Sequence, residues 1–170
     1  MPDKPLETTW LGTRVLPAAR RARRAGRKLG RAARSRLAPQ LGAVGPVALN
    51  APTVSLAGDG GPQGSLRRCD VVVLGIPDQT SIPSVWREVL ILAEQRSVPT
   101  VLLVETAEQL GHPLASVVTH LVTADDHLLP EVAAFAGAER SALLDQLGSG
   151  REQTTALLAL TGKHTPVEKS

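Results

Sequence analysis

The stretch Asp70-Val-Val-Val-Leu-Gly-Ile76 decides the fold of this chain. Its apolar residues run without alternation, which predicts a strand that is covered on both faces, as in parallel sheets. Val98–Val104 and His120–Thr123 predict two more strands of this kind. Helical spacing of apolar residues over 83–95 and 126–136 follows the first and the third strand. This alternation of strands and helices predicts an α/β fold with a parallel sheet.

Composition shifts predict four regions: a basic amphipathic arm over 1–37, a Gly/Pro-rich linker over 38–66, an α/β core over 67–140 and a C-terminal region over 141–170. The core is expected to be a small Rossmann-like or flavodoxin-like unit. Within the linker, Pro46–Leu49 and Thr53–Ala57 are predicted as short edge strands with no helix between them. The C-terminal region is expected to form two short helices, Glu139–Leu147 and Glu152–Leu160, and a polar tail.

Charge divides the chain into two unlike parts. Residues 1–36 hold eleven Lys or Arg against Asp3 and Glu7, a balance of +9, whereas the remaining residues sum to −6. Alanine and leucine recur at helical spacing in the arm and predict a marginal helix that forms against a partner. The residues predicted to bind an anion or a membrane are Arg20, Arg21, Arg23, Arg24, Arg27, Lys28, Arg31, Arg34 and Arg36.

Such an arm binds nucleic acid through phosphates or binds an anionic membrane surface. Trp10 and Leu11 just upstream favour a membrane or a protein partner, because tryptophan prefers interfaces. The simpler alternative is a solvated basic tail. The expected location is the cytoplasm, peripherally at the inner face of the membrane.

Several classes of function are excluded by composition. Aromatic residues make up 2% of the chain, too few for a site that stacks bases or sugars. The single cysteine, Cys69, excludes an internal disulfide and a thiolate zinc cluster. No stretch has the length of a membrane span, and the basic run is not followed by the apolar segment of a signal peptide. The Arg/Ala-rich, Lys-poor composition is typical of a high-GC bacterial gene.

The candidate site follows from the position of the strands. Open α/β sheets bind ligands outside the carboxyl ends of their strands, which points to the loops that carry Asp78, Glu105 and Asp125. Carboxylates are the ligands that Mg²⁺ takes. The simpler interpretation is that Asp125 or Thr123 caps the next helix and the other carboxylates are solvated. We therefore expect no metal and no cofactor.

Other motifs favour structural interpretations. Gly58–Gly64 is predicted to be a turn rather than a phosphate loop, because no helix follows a strand there in the required order. Ser81 or Thr80 is the predicted cap of the helix that begins near Pro83. Cys69, beside Arg67 and Arg68, is either a reactive thiolate or, more simply, a buried thiol. His120 at a strand start is predicted to be structural.

The segments CDVVVLGIP (69–77), AEQRSVPTVLLVE (93–105) and VTHLVTADDHLLPEVAAFAG (118–137) resemble the N-terminal Rossmann-like half of GT-B glycosyltransferases of the bacterial cell-envelope type. The resemblance covers under half of the chain. It implies a glycosyltransferase-like protein or fragment in cell-envelope glycan synthesis, inactive alone because such enzymes need a second Rossmann-like domain. Asp78, Glu105 and Asp125 would then contact the acceptor or act as base.

The same segments are also similar to a degenerate response-regulator receiver. Leu74-Gly75 stands where that family has its phospho-acceptor aspartate, and Thr123-Ala124 replaces the expected lysine. This resemblance implies a regulatory domain that binds a protein partner. Three hypotheses thus stand in order: the glycosyltransferase-like protein, the receiver-like domain, and a nucleic-acid-binding module that uses the arm.

Overall fold

The computed structural model describes residues 39–57, 62–77 and 81–162. Its strands are β1 (Leu41–Val44), β2 (Thr53–Ser55), β3 (Val71–Leu74), β4 (Thr100–Val104), β5 (His120–Thr123) and β6 (Ser141–Leu143). Its α-helices are α1 (Pro62–Leu66), α2 (Ser84–Gln95), α3 (Pro113–Val117), α4 (Leu129–Ala136) and α5 (Arg151–Leu160). Short 3-10 helices span Ala107–Gly111, Ala138–Arg140 and Leu144–Leu147.

The strands form one six-stranded sheet in the order β2-β1-β3-β4-β5-β6. Every neighbouring pair is parallel. The predicted α/β class with a small Rossmann-like or flavodoxin-like sheet is therefore confirmed. The order reverses between β1 and β3, so these strands flank the topological switch point where open α/β sheets have their crevice.

Side chains on successive strand residues enter two separate cores, as the period of a strand requires. Val72 and Leu74 of β3 pack on the first face of the sheet with α1, α2, α3 and α4. Val71 and Val73 pack on the second face, which α5 covers through Leu157. All four residues of β3 are fully buried, because both faces are covered.

The first strand lies earlier in the chain than predicted. Pro46–Leu49 is not a strand; β1 is Leu41–Val44, and it lies inside the sheet between β2 and β3. Gly45 has φ +78 and ends the strand. Val47 and Leu49 belong to the connection to β2, which packs on the second face without a helix. Their apolar character therefore serves the core rather than a strand.

The predicted helix Glu139–Leu147 is also wrong. Ser141–Leu143 is β6, paired in parallel with β5 and flanked by two 3-10 helices. The second predicted C-terminal helix is confirmed as α5.

Two smaller expectations fail near the other helices. Pro62, Gln63 and Gly64 begin α1 rather than a turn. Ser81 does not cap α2, whose N-cap is Pro83 without a side-chain hydrogen bond. Proline fits this position because the first amides of a helix have no intrahelical partner.

Candidate functional site

Two of the three predicted site residues follow neighbouring strands at the same edge. Val104 pairs with Thr123 at the ends of β4 and β5, so Glu105 and Asp125 both lie at the carboxyl edge of the sheet. Both residues are exposed. Asp78, the third, lies outside the described residues. The carboxyl edge therefore offers two carboxylates on adjacent strand ends.

The Asp125 carboxylate is used locally. Its Oδ1 accepts a hydrogen bond from the His127 N–H at 2.9 Å, and the Asp125 N–H donates to Thr123 Oγ1 at 3.1 Å. These bonds close the turn before α4, but the N-cap of that helix is Leu128 and has no side-chain hydrogen bond. The prediction that Asp125 or Thr123 caps the helix is therefore wrong, because both side chains bond within the turn that precedes it. The nearby contact of 3.6 Å between His127 Nε2 and Asp126 Oδ1 joins two exposed side chains and contributes little.

Glu105 differs from Asp125, because its backbone N–H forms a hydrogen bond and its carboxylate forms none within the described part of the chain. The Glu105 N–H donates to Gln109 Oε1 at 2.6 Å. Thr106 and Gln109 complete a capping box at the start of the 3-10 helix Ala107–Gly111. Among the described residues, none pairs with the Glu105 carboxylate. A rigid backbone thus presents an exposed carboxylate at the end of β4.

The crevice at the switch point is closed by an aromatic ring. A Cβ built on Gly45 would lie 2.4 Å from two ring atoms of Trp86, which is 7% exposed. The Gly75 N–H donates to the Val44 carbonyl at 3.0 Å, and a Cβ on Gly75 would lie 1.8 Å from the Pro46 oxygen. Sequence reasoning placed Gly75 inside a strand; a glycine directly after a buried strand was the signal of this close approach.

A groove of about 810 Å³ opens at the opposite, amino edge of the sheet. Its walls come from α2, α3, the starts of β4 and β5, and the end of α5. Ile91 on α2 and Val117 on α3 line it and are 55% and 56% exposed. Sequence reasoning missed this groove. The available signal was the helical position of Ile91, which lies outside the stripe that Trp86, Val89 and Ala93 form on α2.

Two reciprocal hydrogen bonds between Thr100 and Thr119 stabilise the floor of the groove. Thr100 N–H donates to Thr119 Oγ1 at 3.0 Å, and Thr119 N–H donates to Thr100 Oγ1 at 3.1 Å. Arg140 clamps the same loop, with Nε donating to the Thr119 carbonyl at 2.6 Å and Nη2 to the Val118 carbonyl at 3.0 Å. The loop before β5 is therefore fixed from two sides.

His120 beside this floor has the properties of a structural residue. Its Nδ1 lies 2.9 Å from Thr119 Oγ1. Burial lowers the pKa of His120 below 6.5, the nearby Arg140 charge lowers it further, and a backbone hydrogen bond to Leu160 opposes both. Burial and a neighbouring cation both disfavour the imidazolium, so His120 stays neutral at neutral pH.

Cys69 is a buried thiol and not an activated nucleophile. Its Sγ–H donates to the Ser65 carbonyl at 3.4 Å. Burial, followed by the Asp70 carboxylate, raises the pKa of Cys69 to about 11. The alternative in which Arg67 and Arg68 lower this pKa is therefore wrong, because loss of solvation outweighs their charge.

Within the described ranges, no three His, Cys, Asp or Glu side chains come close enough together to hold a metal ion. No helix in the described part of the chain is long and apolar enough to cross a membrane. The basic arm lies outside the described residues, and with it Arg20, Arg21, Arg23, Arg24, Arg27, Lys28, Arg31, Arg34 and Arg36.

Comparison with known proteins gives no relative for this chain: no family model, no curated protein and no solved structure matches it.

Proposed function

We infer that this chain is a glycosyltransferase-like binding unit that holds a saccharide acceptor at the carboxyl edge of its sheet and is inactive without a partner domain. The observation that carries this proposal is the exposed Glu105 carboxylate, whose backbone is held by Gln109 at the end of β4 beside the turn of Asp125. This edge is where open parallel sheets bind ligands.

The strand order is compatible both with the proposal and with the receiver-like alternative. The dinucleotide-binding order 3-2-1-4-5-6 becomes 2-1-3-4-5 when its outermost strand 3 is removed and the rest are renumbered. The first five strands here have that order, and β6 adds a further parallel strand beyond β5. This sixth strand extends the sheet past the five of either order, so the strand order is equally compatible with the Rossmann-like and the receiver-like assignment.

The chemistry of the two carboxylates is unequal. Asp125 already accepts a hydrogen bond from its own turn, whereas a carboxylate such as Glu105 has acceptor sites on both oxygens for sugar hydroxyls. In the complete enzyme an acceptor hydroxyl would attack the anomeric carbon of the donor as the donor's bond to its leaving phosphate breaks. The hydroxyl proton would pass to the carboxylate. Glu105 is the residue we assign to that contact.

Titration of the full chain with a panel of saccharides and sugar nucleotides tests the proposal. The readout is NMR chemical-shift change and calorimetric affinity. Glu105→Gln keeps the shape and removes the charge, so it should weaken saccharide binding by about tenfold or more, the loss expected for a charged hydrogen bond. Asp125→Asn should have a smaller effect, and Asp78→Asn tests the third candidate.

Glu131→Gln, which removes an exposed carboxylate from α4, is the matched control and should bind like the parent chain. Absence of binding to every member of the panel would contradict the proposal. So would equal affinities of the parent chain and the Glu105→Gln variant.

The receiver-like alternative is favoured by the order of the first five strands alone. In it the chain binds a protein partner and has no saccharide site. The same titration separates the two candidates, because a receiver-like domain leaves the resonances around Glu105 unchanged with every saccharide.

A further inference from the structure

We propose that the amino-edge groove is a homodimer interface, in which α2 of one copy packs antiparallel against α2 of a second copy about a two-fold axis. The occupant of the groove is thus a second copy of this chain. This inference does not depend on the proposed function, because it concerns the opposite edge of the sheet.

The charged and apolar residues on the outer side of α2 form a self-complementary surface. Arg87, Ile91 and Glu94 all line the groove, and their spacing of four and then three residues places them on one side of the helix. The basic and acidic residues lie about 10 Å apart along the axis at 1.5 Å per residue. The midpoint between them falls between Leu90 and Ile91.

A two-fold axis through that midpoint brings Arg87 of each copy to Glu94 of the other. A closed dimer needs such a patch, in which residue i contacts j and j contacts i. The two ion pairs form on one flank of the helix pair, because a rotation about an axis perpendicular to both helices keeps each flank on its own side. Glu88 lies on the other flank, about 7.5 Å along the axis from its own counterpart in the second copy, so reversing its charge replaces one like-charge pair with another.

The charged groups are available for this pairing. Arg87 Nε donates to the Ile82 carbonyl at 3.0 Å, which fixes the side chain and leaves its two terminal amino groups without a described partner. Among the described residues, none forms an ion pair with Glu94. Forming the pairs therefore breaks no ion pair within the described part of one copy.

The apolar part of the groove supplies the driving force. Ile91 and Val117 are more than half exposed, and both face the groove. Antiparallel packing places Ile91 of one copy over Leu90 and Ile91 of the other, beside Val117, and so removes these side chains from water. A single helix face is small for an interface, so we expect a weak dimer that forms at micromolar to millimolar concentrations, roughly 10⁻⁶–10⁻³ M.

Analytical ultracentrifugation of the full chain over this range tests the proposal. Reversal of one charge, as in Arg87→Glu or Glu94→Arg, turns both ion pairs into repulsions and should weaken the dimer by about tenfold or more. Ile91→Asp should abolish the dimer. Glu88→Arg, an equal charge reversal on the other flank of α2, should leave it unchanged.

Mixing the two single-reversal variants gives the decisive result. A chain with Glu at 87 and 94 and a chain with Arg at both positions attract each other across the two-fold axis, although neither pairs with itself. The mixture should therefore contain heterodimers of near-parental affinity, and the double reversal within one chain should restore the homodimer. Circular dichroism of each variant checks that it is folded.

A parent chain that is still monomeric at about 1 mM would overturn the proposal. A dimer that survives Ile91→Asp and both charge reversals would also overturn it, because the interface would then lie elsewhere. Single variants that are monomeric and do not associate when mixed would rule out the antiparallel pairing.

Discussion

Two glycines bring the ends of β1 and β3 together. Gly45 lies against the Trp86 ring, and Gly75 lies against the Pro46 carbonyl, so neither position has room for a Cβ. Gly45 also has φ +78, which L side chains rarely adopt. The close backbone approach at the switch point therefore depends on two positions where only hydrogen fits.

Gly75→Ala is expected to destabilise the fold by about 2–3 kcal/mol, because the added methyl group meets backbone rather than a flexible side chain. Urea unfolding followed by circular dichroism measures this loss. Gly64→Ala is the control: it lies in α1 with open space at its Cβ, and it should stabilise the chain by about 0.4–1 kcal/mol. Equal midpoints for the Gly75→Ala variant and the parent would contradict the close approach.

The second prediction at this scale concerns the proton equilibrium of His120. Its pKa in the folded chain lies below the ordinary 6.5, so the unfolded chain takes up the proton first as the pH falls. The stability that the neutral imidazole contributes is present above pH 6.5 and is lost as the pH falls below it. Arg140→Gln removes the neighbouring cation and should raise the pKa of His120 in an NMR titration.

Arg151→Gln removes an equal charge at the other end of α5 and should leave the His120 titration unchanged. An unaltered His120 pKa in Arg140→Gln would contradict a contribution of the Arg140 charge.

Among the described residues, α5 is the only α-helix that packs on the second face of the sheet, where the short 3-10 helix Leu144–Leu147 accompanies it. Leu157 and Leu158 cover Val71, Val73 and Val101. The opposite face has four helices over it. The second core therefore depends on a single ten-residue α-helix, on one short 3-10 helix and on the connection between β1 and β2.

Leu157→Ala should cost about 3 kcal/mol, because the side chain is fully buried and its removal leaves a cavity over the sheet. Thermal and urea unfolding both report this loss. Leu160→Ala makes the same change at a half-buried position on the last turn of α5 and should cost less than half as much. A Leu157→Ala variant as stable as the parent would mean that another part of the chain covers the second face.

For the molecule as a whole, the charge asymmetry means that an anionic membrane attracts the arm and repels the remainder of the chain. Residues 1–36 carry +9 and the rest carries −6. Each Lys or Arg near an anionic bilayer contributes about 1 kcal/mol, and salt screens this attraction. The acidic remainder is repelled by the same surface.

Deletion of residues 1–36 should lower the affinity for vesicles of mixed neutral and anionic lipid by at least about 100-fold, since several such charges are lost. The far-ultraviolet circular dichroism of the remaining sheet and helices should stay that of a folded α/β chain. Neutral vesicles are the control and should bind neither form. If deletion leaves the affinity for anionic vesicles unchanged, the arm is not a membrane-binding segment; a salt-dependent affinity for DNA would then favour the nucleic-acid alternative.

Local patterns carried the prediction of the central sheet. Val71–Leu74, Thr100–Val104 and His120–Thr123 are strands because their apolar runs fit a position covered on both faces. α2 and α4 followed from helical spacing. Glu105 and Asp125 were placed at one edge by a rule that needs only parallel strands.

Residues close together in the chain were enough to predict the α/β class, the strands β3, β4 and β5 and the helices α2 and α4, whereas the choice between a buried and a reactive Cys69 needed the structure. Pairing in the folded chain made Ser141–Leu143 a strand and placed Leu41–Val44 beside β3. Packing in the folded chain closed the crevice with Trp86 and placed Ile91 and Val117 in one groove. The physical reason is that these features arise from pairing and packing between distant segments, for which the local pattern of apolar residues carries no signal.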